Sequence, residues 1–215
     1  VSIFGPSVSA PRDAAAAQWI GPRLGAFGTI GGLVPDGFDD HVVVHQARAD
    51  DDGPVAEIAE VARQHTTTPA LIWFAIWDGY GWTTTSSLYR LSEHGLVGWL
   101  TRARDRRRHR RDDRRRHPQI RHGLEQVPRF ELPNRSYHLV HGPIQAAAAI
   151  SEPGSGHHQV PDLWWPDDHR WFVATDTDLD WTCVAGSTEL ITEVAALFAD
   201  CSERVQRHLR NDQIA

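Results

Sequence analysis

The stretch 163–187, LWWPDDHRWFVATDTDLDWTCVAGS, decides the fold. It holds four of the nine tryptophans and one of the two cysteines. Residues 170–176 (RWFVATD) are a short run of aromatic and β-branched side chains, a composition that suits a pleated, half-buried strand. At period two, Trp171, Val173 and Thr175 share one face, and Phe172, Ala174 and Asp176 the other. Apolar residues on both faces predict a strand covered on two sides at its start, with its polar end reaching water. Residues 177–180 supply a turn and 181–185 (WTCVA) a second strand. So short a connection makes the pair an antiparallel hairpin, because a parallel partner needs a long crossover. Gly186 ends that strand, and Ser187 is placed to cap a helix by accepting from a free first-turn N–H. Glu189 and Glu193 suit the positive end of the helix dipole, and Leu190, Ile191, Val194, Leu197 and Phe198 form its apolar stripe.

Outward from the hairpin, residues 135–140 (RSYHLV) predict a strand with Tyr137 and Leu139 on one face. A short alanine-rich helix is expected over 144–150 and a loop over 151–161. Residues 71–77 are apolar on both faces and read as a central strand that turns at Asp78-Gly79. Trp73, Phe74 and Trp77 are assigned to the core, and Tyr80 and Trp82, beyond the turn, to an exposed surface. Residues 41–45 read as a strand because three consecutive valines resist helix. His41 and His45 share a face there, a spacing open to metal, but no third ligand lies nearby. Pro54 opens a helix over 55–65, with Val55, Ile58, Val61 and Ala62 on its buried side. Asp13 is expected to cap a short helix over 14–20, and residues 1–12 to form a loose tail. The five glycines of 21–32 (GPRLGAFGTIGG) fit no phosphate-cradle fingerprint, so a turn-rich connection packing Leu24, Phe27 and Ile30 is expected.

Composition narrows the chemistry. The 215 residues include no lysine and no methionine, and every cationic side chain other than histidine is arginine. Lysine Schiff-base catalysis and the Gly-Lys-Ser/Thr phosphate loop are therefore impossible. Abundant Arg, Ala, Gly and Pro point to GC-rich codons, which weakens arginine content as functional evidence. Cys183 and Cys201 lack metal or redox spacing and are expected to be reduced thiols. The longest apolar run, 70–77, is too short for a bilayer, and the first residues show no secretion signal. A cytoplasmic protein without membrane contact is the expectation.

Residues 102–121 carry eleven of the 22 arginines against three aspartates, +8 locally; with a net charge of −6, the remainder is −14. Nucleic-acid contact through Arg106, Arg107, Arg108, Arg110, Arg111, Arg114, Arg115 and Arg116 is one reading. No tryptophan, tyrosine or phenylalanine lies there to stack on bases, so a solvated, flexible insertion is preferred. The expected organisation is one α+β domain over 13–101 and 128–210, interrupted by an insertion or linker over 102–127. About five strands, near 41–45, 71–77, 135–140, 170–176 and 181–185, form a mostly antiparallel sheet. Helices over 55–65 and 188–199, the second extending toward Leu209, pack on it.

Three blocks, WFAIWDGYGW (73–82), FELPNRSYHLVHGPI (130–144) and LWWPDDHRWFVATDTDLDWTCVAGSTELI (163–191), resemble a family of uncharacterised proteins from high-GC bacteria. The chain departs from that pattern at Asn134, where glycine is usual, and at His169, between Asp168 and Arg170. The resemblance carries no activity and hence no catalytic residues. The order strand, acidic turn, strand, capped helix is also similar to the ending of Smi1/Knr4 (SUKH) domains, which include toxin-neutralising immunity proteins.

Asp176, Asp178 and Asp180 would face one way on an extended chain and invite a divalent cation, the basis of a metal-assisted hydrolase as an alternative. An acidic turn without metal is the preferred reading, since a hard cation needs about six oxygens. No GxSxG, CxxC, HExxH or dinucleotide motif is present. The leading expectation is a non-catalytic, cofactor-free interaction module for another protein. Tyr80, Trp82, Trp164 and Trp165 are its candidate contact residues, because Trp and Tyr anchor interfaces.

Overall fold

Valine triplets and alternating aromatics become strands here because both faces of the sheet are covered. A computed structural model describes residues 3–45, 54–79, 122–133, 135–150 and 160–214. Eight strands form one sheet: β1 (Asp40–His45), β2 (Ile72–Trp77), β3 (Arg129–Leu132), β4 (Arg135–Gly142), β5 (Leu163–Pro166), β6 (Phe172–Thr175), β7 (Trp181–Gly186) and β8 (Ser202–Arg204). Their order is β3-β4-β2-β5-β6-β7-β1-β8, and every neighbouring pair is antiparallel. The helices are α1 (Ile30–Leu33), α2 (Val55–Ala62) and α3 (Thr188–Leu197).

The sheet divides the interior by side-chain parity. Val42, Val44, Phe74, Val173 and Val184 join one apolar cluster with Ile58 of α2 and Leu190 and Val194 of α3. Val43, Ala75, Leu139, Phe172 and Cys183 join a second. Among the described residues no long helix covers that second face: Ala17, Ile20, Ile30 and Val34 from the amino-terminal segment pack there, with Val205 from the carboxyl-terminal one.

The hairpin and the start of its helix follow the sequence pattern, whereas Leu197, expected in the buried stripe, is exposed. In β6 and β7, Phe172 pairs with Ala185 and Thr175 with Thr182. Ser187 then caps α3, its Oγ accepting from Leu190 N at 3.3 Å. Trp164, Trp165, Trp171 and Trp181 are all fully buried. Trp165 stacks on Phe172 at 5.7 Å between ring centroids, and Trp164 meets Trp171 edge-on at 5.1 Å.

The structure adds three strands to the five expected. β5 had been hidden in a four-residue apolar run between Pro161 and the turn at Asp167. β3 extends the opposite edge beside β4. The helix does not continue to Leu209: after Phe198 the chain turns, and Ser202–Arg204 pairs with β1 as β8. Asp200, Cys201 and Ser202 are poor helix formers, and the open edge of β1 offers them a ladder instead.

Other corrections concern the termini and the short helices. The amino terminus is no loose tail: Phe4 and Val8 are buried, and Ser9 bridges to His141. The helix expected over 14–20 is a 3₁₀ turn, Ala15–Ala17, cut short before Gly21-Pro22. Its N-cap is Ala14, not Asp13, whose Oδ1 accepts from Ala15 N at 2.9 Å from one residue earlier. The alanine-rich helix is likewise a 3₁₀ segment, Ile144–Ala148. The arginine block lies outside the described residues; just beyond it Leu124 and Val127 pack into the core, so the domain resumes earlier than expected.

Candidate binding site

The acidic turn between β6 and β7 is tied to β4. Asp176 Oδ1 accepts from Asp178 N at 2.9 Å, which bends the chain at the turn. Arg135 Nη2 lies 2.7 Å from Asp176 Oδ1, 2.6 Å from its Oδ2 and 3.2 Å from Asp178 Oδ2. The same guanidinium sits over the Trp77 ring, 4.9 Å from its centroid. Two of the three carboxylates thus converge on one arginine nitrogen, which supplies the positive charge there. Asp180 is exposed. Among the described residues, no group of three or more His, Cys, Asp or Glu side chains is placed to hold a metal.

Facing this turn across a small concavity is the glycine-rich strap at 24–33. A Cβ on Gly32 would collide with the Ala26 carbonyl, and Gly28 has φ +79°, so two of the five glycines are required by the path of the chain. The strap is held down by the carboxyl-terminal segment. Gly31 N donates to Arg207 O at 2.8 Å, Ile30 N to Leu209 O at 3.0 Å and Asn211 N to Gly28 O at 2.9 Å. Arg207 Nη2 reaches the carbonyls of Arg23 and Val34, each at 3.1 Å, and Nη1 meets Asp36 Oδ1 at 3.2 Å.

Between strap and turn is a mouth of about 140 Å³, walled by Leu24, Leu33, Leu132, Leu163 and Leu179, with Arg135 and Asp176 in its polar lining. Tyr137 also lines it; burial, reinforced by the Asp162 charge, pushes its phenol pKa up and keeps the hydroxyl protonated. Phe27 stands at the edge with 76% of its surface exposed. Such a volume accommodates a group of roughly benzene size, as an apolar cavity of ~150 Å³ does. Cofactor and drug-sized pockets run to ~300–1,000 Å³.

A second, wider and more polar cleft of about 510 Å³ lies beside the amino-terminal end of α3, lined by Asp39, His65, His169, Arg170, Ser187 and Glu189. Several of its polar groups hold the fold. Ser187 Oγ caps the helix, and His65 Nε2 lies 3.2 Å from Glu193. Neighbouring Asp168 Oδ2 accepts from Thr66 Oγ1, Thr67 N and Thr67 Oγ1 at 2.9, 2.7 and 2.8 Å. Burial alone would raise the Asp168 pKa, but these bonds outweigh it and hold the carboxyl below its ordinary value. His169 has φ +55° and stacks on Trp19 at 4.4 Å. Burial lowers its pKa.

Of the expected contact residues, Trp164 and Trp165 are buried core side chains and offer no surface; β5 is central, and both its faces are covered. Tyr80, Trp82 and the eight arginines lie outside the described residues. His41 and His45 do not converge on a shared ligand: His41 is 95% shielded, with a pKa lowered by burial and by Arg207, whereas His45 faces Glu203 at 3.4 Å. Cys183 and Cys201 are both free thiols, and burial pushes the Cys183 pKa up to about 12. Phe27, expected to pack within the turn-rich connection, is instead exposed, and its grouping with Leu179 and Arg135 has no signal in the sequence beyond a large apolar residue set among glycines.

Comparison with protein-family models, curated proteins and solved structures gives no match. Among the described residues, no helix is long and apolar enough to cross a membrane.

Proposed function

We propose that this protein is a non-catalytic interaction module that receives a side chain of a partner protein in the mouth beside Phe27. The observation that carries this reading is the pairing of a large exposed aromatic with an apolar opening sized for one side chain. Exposed aromatics next to a pocket are the usual energetic centre of a protein contact. Filling such a pocket with one apolar side chain stabilises a complex by about 1.5–3 kcal/mol, roughly 10- to 150-fold in affinity. The polar lining contributes specificity: the Arg135–Asp176 pair is already made in the free protein and needs no reorganisation on binding.

The test uses paired baits in affinity capture from cells expressing the protein. Phe27→Ser should lose the specific partner at least about tenfold while preserving the fold, because the ring is mostly outside the core. Leu197→Ser, at the other large apolar residue exposed among the described ones, should leave capture unchanged. Equal recovery by the Phe27 variant and the unaltered chain would refute the proposal.

A further inference from the structure

We infer that the partner segment received by this mouth carries an arginine or lysine beside its apolar side chain, an inference that rests on reading the mouth as a contact site. The lining places the carboxylates of Asp176 and Asp178 against one guanidinium, Arg135. Its Nη2 meets oxygens of both carboxylates and its face lies on Trp77, so two carboxylates face one guanidinium and this part of the lining is net negative. An incoming anion meets that excess negative charge.

An incoming cation finds the reverse. Asp178 touches Arg135 only through Oδ2, and its side chain is 83% exposed. Asp180 beside it is exposed too, with no ion pair among the described residues. Arg210 does not offset them, since it is paired with Asp212 at 3.1 Å. Asn211, also in the lining, has a buried Oδ1 with no hydrogen-bond partner among the described residues. The exposed charge at this edge is thus that of carboxylates, matched by the N–H groups of arginine or lysine. Like charges brought together at an interface select against a partner, so an acidic segment is disfavoured.

The probes are three short peptides, acetyl-Gly-Arg-Leu-Arg-Gly-amide and its counterparts with Glu-Leu-Glu and Arg-Gly-Arg at the centre. Each is titrated into the full ¹⁵N-labelled chain. The Arg-Leu-Arg peptide should move the amide resonances of Phe27, Gly28, Asp178 and Leu179, and bind about tenfold more tightly than either other peptide. Replacing both Asp178→Asn and Asp180→Asn should shrink its advantage over Glu-Leu-Glu to below about twofold, and raised salt should act the same way. The fold should survive, because Asp178 donates its structural hydrogen bond from the backbone. If Glu-Leu-Glu binds the mouth as tightly, or the double variant keeps the preference, the charge inference falls and the contact site stands. If Arg-Gly-Arg binds as well as Arg-Leu-Arg, or the shifts lie elsewhere, the contact site itself falls. No binding by any peptide overturns both.

Discussion

His169 and Arg135 show how much single side chains carry. A left-handed backbone costs a non-glycine residue about 1–2 kcal/mol, and the ring stack of His169 on Trp19 returns a comparable amount, about 0.5–1.5 kcal/mol. His169→Gly removes both and should stay within about 1 kcal/mol of the parent. His169→Ala keeps the strain, loses the stack and should be less stable by about 1 kcal/mol; urea midpoints of the three proteins check the order. Arg135→Ala leaves Asp176 buried without its partner and should destabilise by about 3 kcal/mol, measured the same way.

Asp168 gives a pH prediction. Its carboxyl titrates lower folded than unfolded, so its contribution is present above the unfolded value and is lost as acid brings the pH through the folded one. Stability should therefore fall below about pH 4 more steeply in the parent than in Asp168→Asn. Equal slopes in thermal melts between pH 5 and 2.5 would remove Asp168 from the account.

Among the elements, the strap at 24–33 is the one whose position depends most on a distant part of the chain. Arg207 holds it by two carbonyls and Asp36, and the backbone at Arg207 and Leu209 holds it again. Arg207→Ala should speed hydrogen exchange at the Gly31 and Ile30 amides by about tenfold or more while leaving the amides of β2 and β6 protected. Uniform exchange across strap and sheet would mean the strap is not an independent unit.

The elements that were legible are those whose periodicity lies within one short window. The β6–β7 hairpin, Ser187 and the Leu190, Ile191 and Val194 part of the α3 stripe belong to that class; Leu197, expected in the stripe, is exposed at the end of the helix. β8 was not legible, because Ser202, Glu203 and Arg204 have no apolar alternation and become a strand only through the edge of β1. The mouth was not legible either. Arg135 and Asp176 are 41 residues apart, and nothing local to either announces the other.

At the scale of the whole molecule, an eight-stranded sheet is shielded by α2 and α3 on one face and by irregular terminal segments on the other. Trp164 and Trp165, expected as contact anchors, are buried in the sheet instead. Truncating a buried indole such as Trp165→Ala should cost about 3–5 kcal/mol, a large share of the stability of a domain this size. The proposed contact therefore centres on Phe27, one of two large apolar side chains exposed among the described residues, at the seam between strap and acidic turn.

A benzophenone-bearing amino acid placed at position 27 of the full chain, irradiated in cells, tests this most directly. A discrete covalent adduct with one partner protein is predicted from position 27 and none from position 197. No adduct from position 27, or the same adducts from both, would contradict it.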